Sequence, residues 1–288
     1  MSGGGETTRF APSPTGRLHA GHAFAALFAA RAAAETGGRF LLRIEDIDAG
    51  RARTEFEAAI FEDLAWLGLD WERPVRRQSE HRADYDAAIA RLEAAGLLYP
   101  CFCTRSEIAA EIARSADAPQ GPDGPLYPGI CRALPAAERA ARRAGGEPFA
   151  LRLDMARALE AVRGPLVFEE RGRGPAGEHG RIQALPGALG DVVLARKDGG
   201  ASYHIAVTVD DALQGVSLVT RGEDLFASTH LHRLLLALLG LPVPRWQHHR
   251  LIRDAAGARL AKRTGGTSLA DLRAAGVTPQ ALLAEFGL

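Results

Sequence analysis

Residues 9–22 read RFAPSPTGRLHAGH, and this stretch joins an apolar segment to an Ala/Leu-rich segment, HAFAALFAARAAAE. Pro12, Pro14 and Gly16 disfavour a helix within the stretch, whereas the segment after it is apolar on all sides and is typical of a buried helix. The turn therefore lies at the N-terminus of a helix. Unpaired backbone N–H groups and the helix dipole favour an anion at this position.

Two histidines flank a small spacer where this helix begins. Gly21 lets a ligand approach the backbone closely, and His19 and His22 then lie beside that ligand. Imidazole N–H groups stabilise the charge that develops on a phosphoryl oxygen during transfer. The motif predicts a nucleoside-triphosphate site; the alternative is that both histidines cap the helix or fill the core.

Two further segments favour the nucleotide site. Residues 42–48, LRIEDID, mix apolar residues with three carboxylates and predict a buried strand that brings acidic groups to the carboxyl edge of a sheet. Residues 257–266, GARLAKRTGG, form a basic segment with glycines at both ends. We expect Lys262 in this segment to reach the same phosphates.

Apolar runs and amphipathic stretches alternate along the chain. Strands are predicted at 7–11, 39–45, 99–103 and 216–221, and helices at 22–36, 54–67, 81–95, 105–114, 203–214 and 223–239. The alternation predicts an α/β fold with a doubly wound parallel sheet and a nucleotide at its carboxyl edge.

Composition narrows the class of protein. An apolar fraction of 47% with 24% charged residues is ordinary for a globular protein and excludes a disordered chain. The 35 basic and 35 acidic residues balance, which argues against nonspecific coating of nucleic acid and permits a local basic face. The chain begins MSGGGETT, without a basic start or an apolar core, so we expect a cytoplasmic protein without a membrane partner.

Three cysteines form a candidate metal site. Cys101 and Cys103 flank Phe102 in an apolar segment, where the alternation of an extended chain directs both sulfurs to one side. Cys131 follows a loop rich in proline and glycine. Three thiolates and one oxygen or nitrogen suit tetrahedral zinc. The alternative is three reduced thiols that share no ligand.

The ordered motifs resemble those of the class I aminoacyl-tRNA synthetases of the glutamyl type. The family signature HIGH is matched by His19-Ala20-Gly21-His22, and its KMSKS signature is matched loosely by Arg259-Leu260-Ala261-Lys262-Arg263. The second match departs at Arg259 and Ala261. The resemblance continues in order through APSPTG, RIEDID, DYDAAIARLEAAGLLYPCFCTR and AVTVDDALQGVSLVTRGEDL, over about residues 7–266.

The resemblance implies a Rossmann-type catalytic domain and assigns roles to residues. It divides the domain into halves over 1–99 and 191–288, with an inserted α+β acceptor-binding subdomain at 100–190 that carries a zinc site. It implies that His19, His22 and Lys262 are catalytic and stabilise phosphates. With Gly21 they would bind ATP, which we expect to carry Mg²⁺.

The resemblance also implies the glutamate pocket and the metal ligands. Since a glutamate side chain is an anion, arginines at strand ends are suitable partners. The pocket residues implied are Arg9, Phe10, Ala11, Pro12, Ser13, Glu45, Tyr203 and Arg221. Glu45 would hold the substrate ammonium, and Tyr127 would join Cys101, Cys103 and Cys131 around one structural zinc. Asp210 and Asp211 are expected to form structural or ribose-side hydrogen bonds.

Only 25 residues follow Arg263, enough for two short helices in SLADLRAAG and TPQALLAEFG. A full glutamyl-tRNA synthetase continues into a helical anticodon-reading domain. The short pattern resembles the glutamyl-queuosine tRNA(Asp) synthetases, which transfer glutamate to queuosine in the anticodon. We therefore expect a monomer that acts on L-glutamate, ATP and queuosine-containing tRNA(Asp). The alternatives are a short synthetase that charges the tRNA 3′ end and a noncatalytic RNA-binding paralogue.

Overall fold

A computed structural model describes residues 4–114, 120–122, 124–252 and 267–288. The basic segment at 257–266, with Lys262, lies outside the described residues. The strands are β1 (Thr7–Phe10), β2 (Arg39–Ile44), β3 (Glu72–Arg77), β4 (Leu98–Cys101), β5 (Gln120–Gly121), β6 (Gly124–Pro125), β7 (Ala150–Leu153), β8 (Val167–Glu170), β9 (Gly180–Gln183), β10 (Val193–Ala195), β11 (Leu218–Gly222) and β12 (Arg245–His249).

The helices lie between these strands and after the last of them. They are α1 (Ala20–Ala34), α2 (Thr54–Trp66), α3 (Arg82–Ala94), α4 (Arg105–Arg114), α5 (Ala136–Ala144), α6 (Met155–Ala161), α7 (Tyr203–Leu213), α8 (Phe226–Leu238), α9 (Leu269–Ala274) and α10 (Pro279–Phe286). Each helix predicted from amphipathic periodicity is present, with ends that agree with the prediction to within three residues. No helix in the described ranges is long and apolar enough to cross a bilayer.

Two sheets of mainly parallel strands form the scaffold. One has the order β1-β2-β3, and the other has the order β11-β12-β8-β9, in which β9 alone runs antiparallel to its neighbour. The sheets meet where the backbone N–H of Ser217, just before β11, donates to the carbonyl of Thr7 in β1 at 3.0 Å. This arrangement confirms the Rossmann-like α/β fold with parallel strands.

A third, antiparallel sheet has the order β10-β7-β4. The strand predicted near residues 99–103 belongs to this sheet and not to a parallel one, because Leu98–Cys101 pairs with Ala150–Leu153. Strand β8 lies within the predicted insertion at 100–190 but pairs with β12 of the second scaffold sheet. The division of the chain into domains and a zinc-bearing subdomain stays a prediction.

Apolar side chains form two large clusters. One packs α1 against β1, β2, α2 and the C-terminal helices α9 and α10, and the other packs α3, α7 and α8 against β7 and β11. Helix α1 is apolar all round, so it buries side chains on several sides, including Ala23, Phe24 and Leu27. The carboxyl ends of β1, β2, β11 and β12 are left to form the walls of a cleft.

Asp63 is an acidic residue on the buried face of α2, and its side chain is only 1% exposed. Neither oxygen accepts a hydrogen bond from any described residue. Arg273 of α9 approaches one oxygen to 3.8 Å. Burial raises the pKa of Asp63 to about 6.

We expect Asp63→Asn to stabilise the protein at neutral pH. Because the folded-state pKa lies above the unfolded value of 3.8, wild-type stability falls as pH rises from about 4 through about 6, and the variant lacks this loss. Urea unfolding at pH 7 should give a gain of roughly 1–2 kcal/mol that vanishes near pH 4. Asp86→Asn, at an exposed carboxylate of α3, is the control and should show no such gain. A variant less stable than wild type at pH 7 would contradict the reasoning.

Candidate active site

The carboxyl ends of the parallel strands enclose a cleft of about 460 Å³. The cleft brings together all the residues predicted to bind substrate or to act in catalysis, as far as the structure describes them. These are Arg9, Phe10, Ala11, Pro12, Ser13, His19, Gly21, His22, Glu45, Tyr203 and Arg221. Backbone bonds fix the two loops of the cleft to each other, since the N–H of Glu45 donates to Pro12 and that of Arg53 donates to Pro14, both at 3.0 Å.

His19 and His22 cap helix α1 and line the cleft at once. The Nδ1 of His19 accepts from the backbone N–H of Gly21 at 3.1 Å, and the Nδ1 of His22 accepts from the backbone N–H of His19 at 3.2 Å. The ring centroids are 3.8 Å apart. The alternative of a capping role is therefore correct, and it does not exclude a role toward a ligand.

The caps determine which nitrogen of each ring carries the proton. A neutral imidazole that accepts through Nδ1 has its proton on Nε2. Both rings therefore have an Nε2–H donor at the N-terminus of α1, where the helix dipole already favours negative charge. An anionic group such as a phosphate suits this end of the cleft.

A buried network of charges underlies the other end of the cleft. Asp211 of α7 accepts from Arg9 of β1 at 2.9 Å and from Arg43 of β2 at 2.7 Å. Burial alone would raise the pKa of Asp211, but the two guanidinium groups outweigh it and lower the pKa. Arg9 also donates to the carbonyl of Thr220 at 2.9 Å. Arg9 thus already has an anionic partner before any substrate binds.

Asp210 of α7 forms hydrogen bonds with neighbours from other elements. Its carboxylate is fully buried and accepts hydrogen bonds from Arg76 at 2.7 Å, from Gln78 at 2.9 Å and from Tyr85 at 2.9 Å. Asp210 and Asp211 therefore bind arginines from β1, β2 and β3 and connect these strands to α7. This agrees with the expected structural hydrogen bonds.

Arg221 at the end of β11 has different surroundings from Arg9. It donates to His248 at 3.1 Å, to Thr229 at 2.6 Å and to His232 at 3.2 Å. Within the described ranges it forms no ion pair with a carboxylate. Burial lowers the pKa of Arg221, and a buried guanidinium nevertheless stays charged at pH 7. The cleft therefore contains a cation that an anionic ligand can balance.

Glu45 and Tyr203 complete the polar wall near Arg221. Glu45 accepts one hydrogen bond from Arg43 at 3.1 Å, and its side chain is 13% exposed. Burial raises the pKa of Glu45 against the opposing effect of Arg43 and Arg9. Burial also raises the pKa of Tyr203, so its hydroxyl keeps its proton at neutral pH. A ligand ammonium beside Glu45 would favour the ionised carboxylate.

The site prediction omitted several residues that line the cleft. Thr220, Gly222, Asp224 and Leu225 lie at the end of β11 or just after it, and His249, Arg250, Leu251 and Ile252 lie at the end of β12 or just after it. Strand β12 reads RWQHH, which lacks the apolar alternation of a strand, so its end could not be located. The sheet topology locates these residues, because β11 and β12 are parallel neighbours and their carboxyl ends lie at the same edge of the sheet.

The cysteines lie together outside this cleft. The ligand atoms of Cys101, Cys103 and Cys131 all lie within 4.8 Å of one another, and Sγ of Cys103 is 3.3 Å from Sγ of Cys131. The hydroxyl of Tyr127 is 3.4 Å from Sγ of Cys101 and 3.5 Å from Sγ of Cys103. Tetrahedral bonds of about 2.3 Å need sulfurs roughly 3.8 Å apart. The three thiols therefore lie close enough together to hold one metal ion, and the phenol of Tyr127 lies beside them.

We expect Asp211→Asn to destabilise the protein strongly. The substitution leaves Arg9 and Arg43 buried with one anion fewer, and breaking a buried ion pair typically costs about 3–5 kcal/mol. Urea unfolding at pH 7 measures the loss. Glu35→Gln removes an equal charge from an exposed pair with Arg31 and should cost at most about 1 kcal/mol. Equal losses in the two variants would contradict a central role for Asp211.

Comparison with known proteins assigns the family. The family model for the catalytic domain of class I tRNA synthetases (E and Q) matches residues 7–288. The Glutamyl-Q tRNA(Asp) synthetase of Rhodobacter capsulatus is 50% identical over 98% of this chain and 99% of its own length. The protein of that name from Nocardia farcinica is 47% identical over 97% of this chain and 83% of its own length.

A solved structure is similar to the same region. The glutamate-tRNA synthetase of Elizabethkingia anophelis matches with a TM-score of 0.75 and 29% identity, over 91% of this chain. This chain spans 53% of that protein. The chain belongs to the class I tRNA synthetases of the glutamate and glutamine type, a family of ligases.

Proposed function

We propose that this chain activates L-glutamate with ATP and transfers the glutamyl group to queuosine in the anticodon of tRNA(Asp). The observation that carries the proposal is the buried Arg221 guanidinium, which lines the cleft without a carboxylate partner among the described residues. The two relatives named for this reaction, at 50% and 47% identity, support the choice of acceptor.

The cleft suits glutamate by charge at both ends of the amino acid. Arg221 is the partner for the side-chain carboxylate, with Arg9 nearby, and Glu45 is the partner for the ammonium group. Arg9 contributes less than a free cation because Asp211 already pairs with it. Glutamine would leave the Arg221 charge unbalanced in a buried position, which disfavours it.

The first step joins glutamate to the nucleotide. A carboxylate oxygen of glutamate attacks the α-phosphorus of ATP, the bond to pyrophosphate breaks, and glutamyl-adenylate forms. His19 and His22 would donate their Nε2–H groups to the developing phosphoryl charge at the N-terminus of α1. We assign Lys262 the same role, and we expect Mg²⁺ to accompany the ATP.

The second step moves the glutamyl group to the nucleic acid. A cyclopentene hydroxyl of queuosine attacks the acyl carbon, and AMP leaves. Recognition of a splayed anticodon base needs only a local basic and aromatic surface, so the zero net charge is no obstacle. A reaction that consumes ATP and tRNA suits the cytoplasm.

We further propose that Cys101, Cys103, Cys131 and Tyr127 hold one zinc ion. The proposal is supported by the distances among the three thiols and the phenol. The ion would be structural, since all four side chains would be used as ligands and none of them lines the cleft. The cluster packs beside Tyr99 and Phe102, so its metal would stabilise this small core.

We expect the purified chain to exchange pyrophosphate into ATP with L-glutamate and little with L-glutamine or L-aspartate. With labelled glutamate it should then label bulk tRNA from cells that make queuosine. The label should lie on the anticodon nucleoside of tRNA(Asp) after nuclease digestion. Bulk tRNA from cells unable to make queuosine is the matched control and should stay unlabelled.

Two results would count against this function. Absence of glutamate-dependent exchange, with and without tRNA, would exclude activation. Label on the terminal adenosine of tRNA(Glu) would instead establish a short synthetase that charges the 3′ end.

For the zinc ion we expect close to one equivalent per chain by elemental analysis after dialysis. Cys103→Ser should release most of the metal and increase hydrogen exchange in β4 and β7 first, because bound metal contributes folding free energy to its surroundings. Ser106→Ala, on the nearby exposed start of α4, is the control and should retain the metal. A metal-free wild type whose stability chelators do not change would refute the site.

A further inference from the structure

Arg221 is held by neutral side chains on three sides. Its Nε donates to Nε2 of His248 at 3.1 Å, one terminal nitrogen donates to Nδ1 of His232 at 3.2 Å, and the other donates to Oγ1 of Thr229 at 2.6 Å. These bonds use three of its five N–H groups, so each terminal nitrogen keeps one donor. Arg221 and Tyr203 both line the cleft, and the neutral Tyr203 hydroxyl interacts with the guanidinium there.

A buried carboxylate behind His248 determines how that ring is protonated. Glu170 of β8 is fully buried, and its Oε2 lies 2.6 Å from Nδ1 of His248. Its Oε1 accepts from the backbone N–H of His248 at 2.9 Å and from that of Gly172 at 2.8 Å. Because a carboxylate only accepts, Nδ1 of His248 carries the proton and Nε2 is free to accept from Arg221.

A second pair of histidines fixes the other side of the guanidinium. Since Nδ1 of His232 accepts from Arg221, its proton lies on Nε2, which faces Nδ1 of His204 at 3.2 Å. Burial and the charge of Arg221 lower the pKa of His232. Burial also lowers the pKa of His248 to about 4, although Glu170 opposes the shift. The rings that contact Arg221 are therefore neutral at pH 7.

We propose that His248, His232 and Thr229, with the carboxylate of Glu170 behind His248, form a cradle that orients Arg221 through neutral contacts. Because no carboxylate of the described residues pairs with Arg221 directly, this cradle makes the pocket select a carboxylate over an amide side chain. The inference rests on the proposed function and deepens it. Glu170 acts as a positioning residue through His248. The side chains of the cradle come from β8, β12 and α8, which the fold brings to the end of β11.

Arg9 provides the contrast within the same cleft. Its guanidinium pairs directly with Asp211, so an entering carboxylate gains little from its charge. The neutral imidazoles of His248 and His232 fix the position of Arg221 as Asp211 fixes that of Arg9. They carry no negative charge, so the substrate carboxylate is the ion-pair partner of Arg221. The cost of the unbalanced cation is then relieved only by an anionic side chain.

The charge of the cradle is tested by a matched pair of variants, His232→Asp and His232→Asn. Both lose the ring and both present an oxygen where Nδ1 accepts, so their difference reports the added negative charge alone. Pyrophosphate exchange with glutamate and with glutamine gives KM and kcat for each. We expect His232→Asp to have a glutamate KM at least tenfold above that of His232→Asn, with a smaller change in kcat. Its preference for glutamate over glutamine should fall at least tenfold.

Equal preference in the two variants, with a glutamate-specific wild type, would overturn the cradle and leave the proposed function intact. A wild type without glutamate-dependent exchange would overturn both. The two failures are thus distinguishable.

A measurement on protein that is certain to fold tests the same point. Nitrogen NMR of selectively labelled wild-type histidines at pH 7 should find His248 protonated on Nδ1 and His232 on Nε2, both neutral. A doubly protonated His248 or His232 would overturn the proposal.

Glu170→Gln tests the positioning role. Two backbone N–H groups require an acceptor at the Oε1 position, so the amide NH₂ must face Nδ1 of His248 and shift the ring proton to Nε2. We expect that change of tautomer by NMR and a glutamate KM raised about tenfold, with kcat changed less. An unchanged tautomer and an unchanged KM would contradict the role of Glu170.

Discussion

The carboxylate of Asp211 joins the two halves of the chain. Arg9 of β1 and Arg43 of β2 share it, although Asp211 lies on α7, 202 residues after Arg9 and 168 residues after Arg43. Arg9 in turn reaches the carbonyl of Thr220 in β11. Strands β1, β2 and β11 therefore meet at one buried anion, the Asp211 carboxylate. The cleft forms because this carboxylate holds the ends of these strands together.

Two arginines in the cleft have different electrostatic surroundings. Arg9 is paired with the carboxylate of Asp211 in the scaffold, whereas Arg221 is surrounded by neutral acceptors and has no carboxylate partner among the described residues. At the opposite end, His19 and His22 combine capping of α1 with Nε2–H donors. Structural hydrogen bonds thus fix both the position and the protonation of groups that would contact a substrate.

Periodic apolar patterns made much of the fold predictable. Helix α1, strand β2 and strand β11 were located within a few residues, because their side chains pack into continuous cores. Strands β3 and β12 read ERPVRR and RWQHH, and they were missed because polar partners stabilise their side chains. Arg76 of β3 pairs with Asp210, for example, and only tertiary structure supplies such a partner.

The sequence by itself predicted the class of fold from local spacing, and the resemblance carried by its ordered motifs implied His19, His22 and the other predicted residues that the structure brings together in the cleft. Only the tertiary structure decided the charge state of each group. Whether an arginine is balanced depends on side chains from distant strands, as with Asp211 for Arg9 and His248 for Arg221. Electrostatic energy in a buried site depends on distance and burial, which the order of residues does not specify.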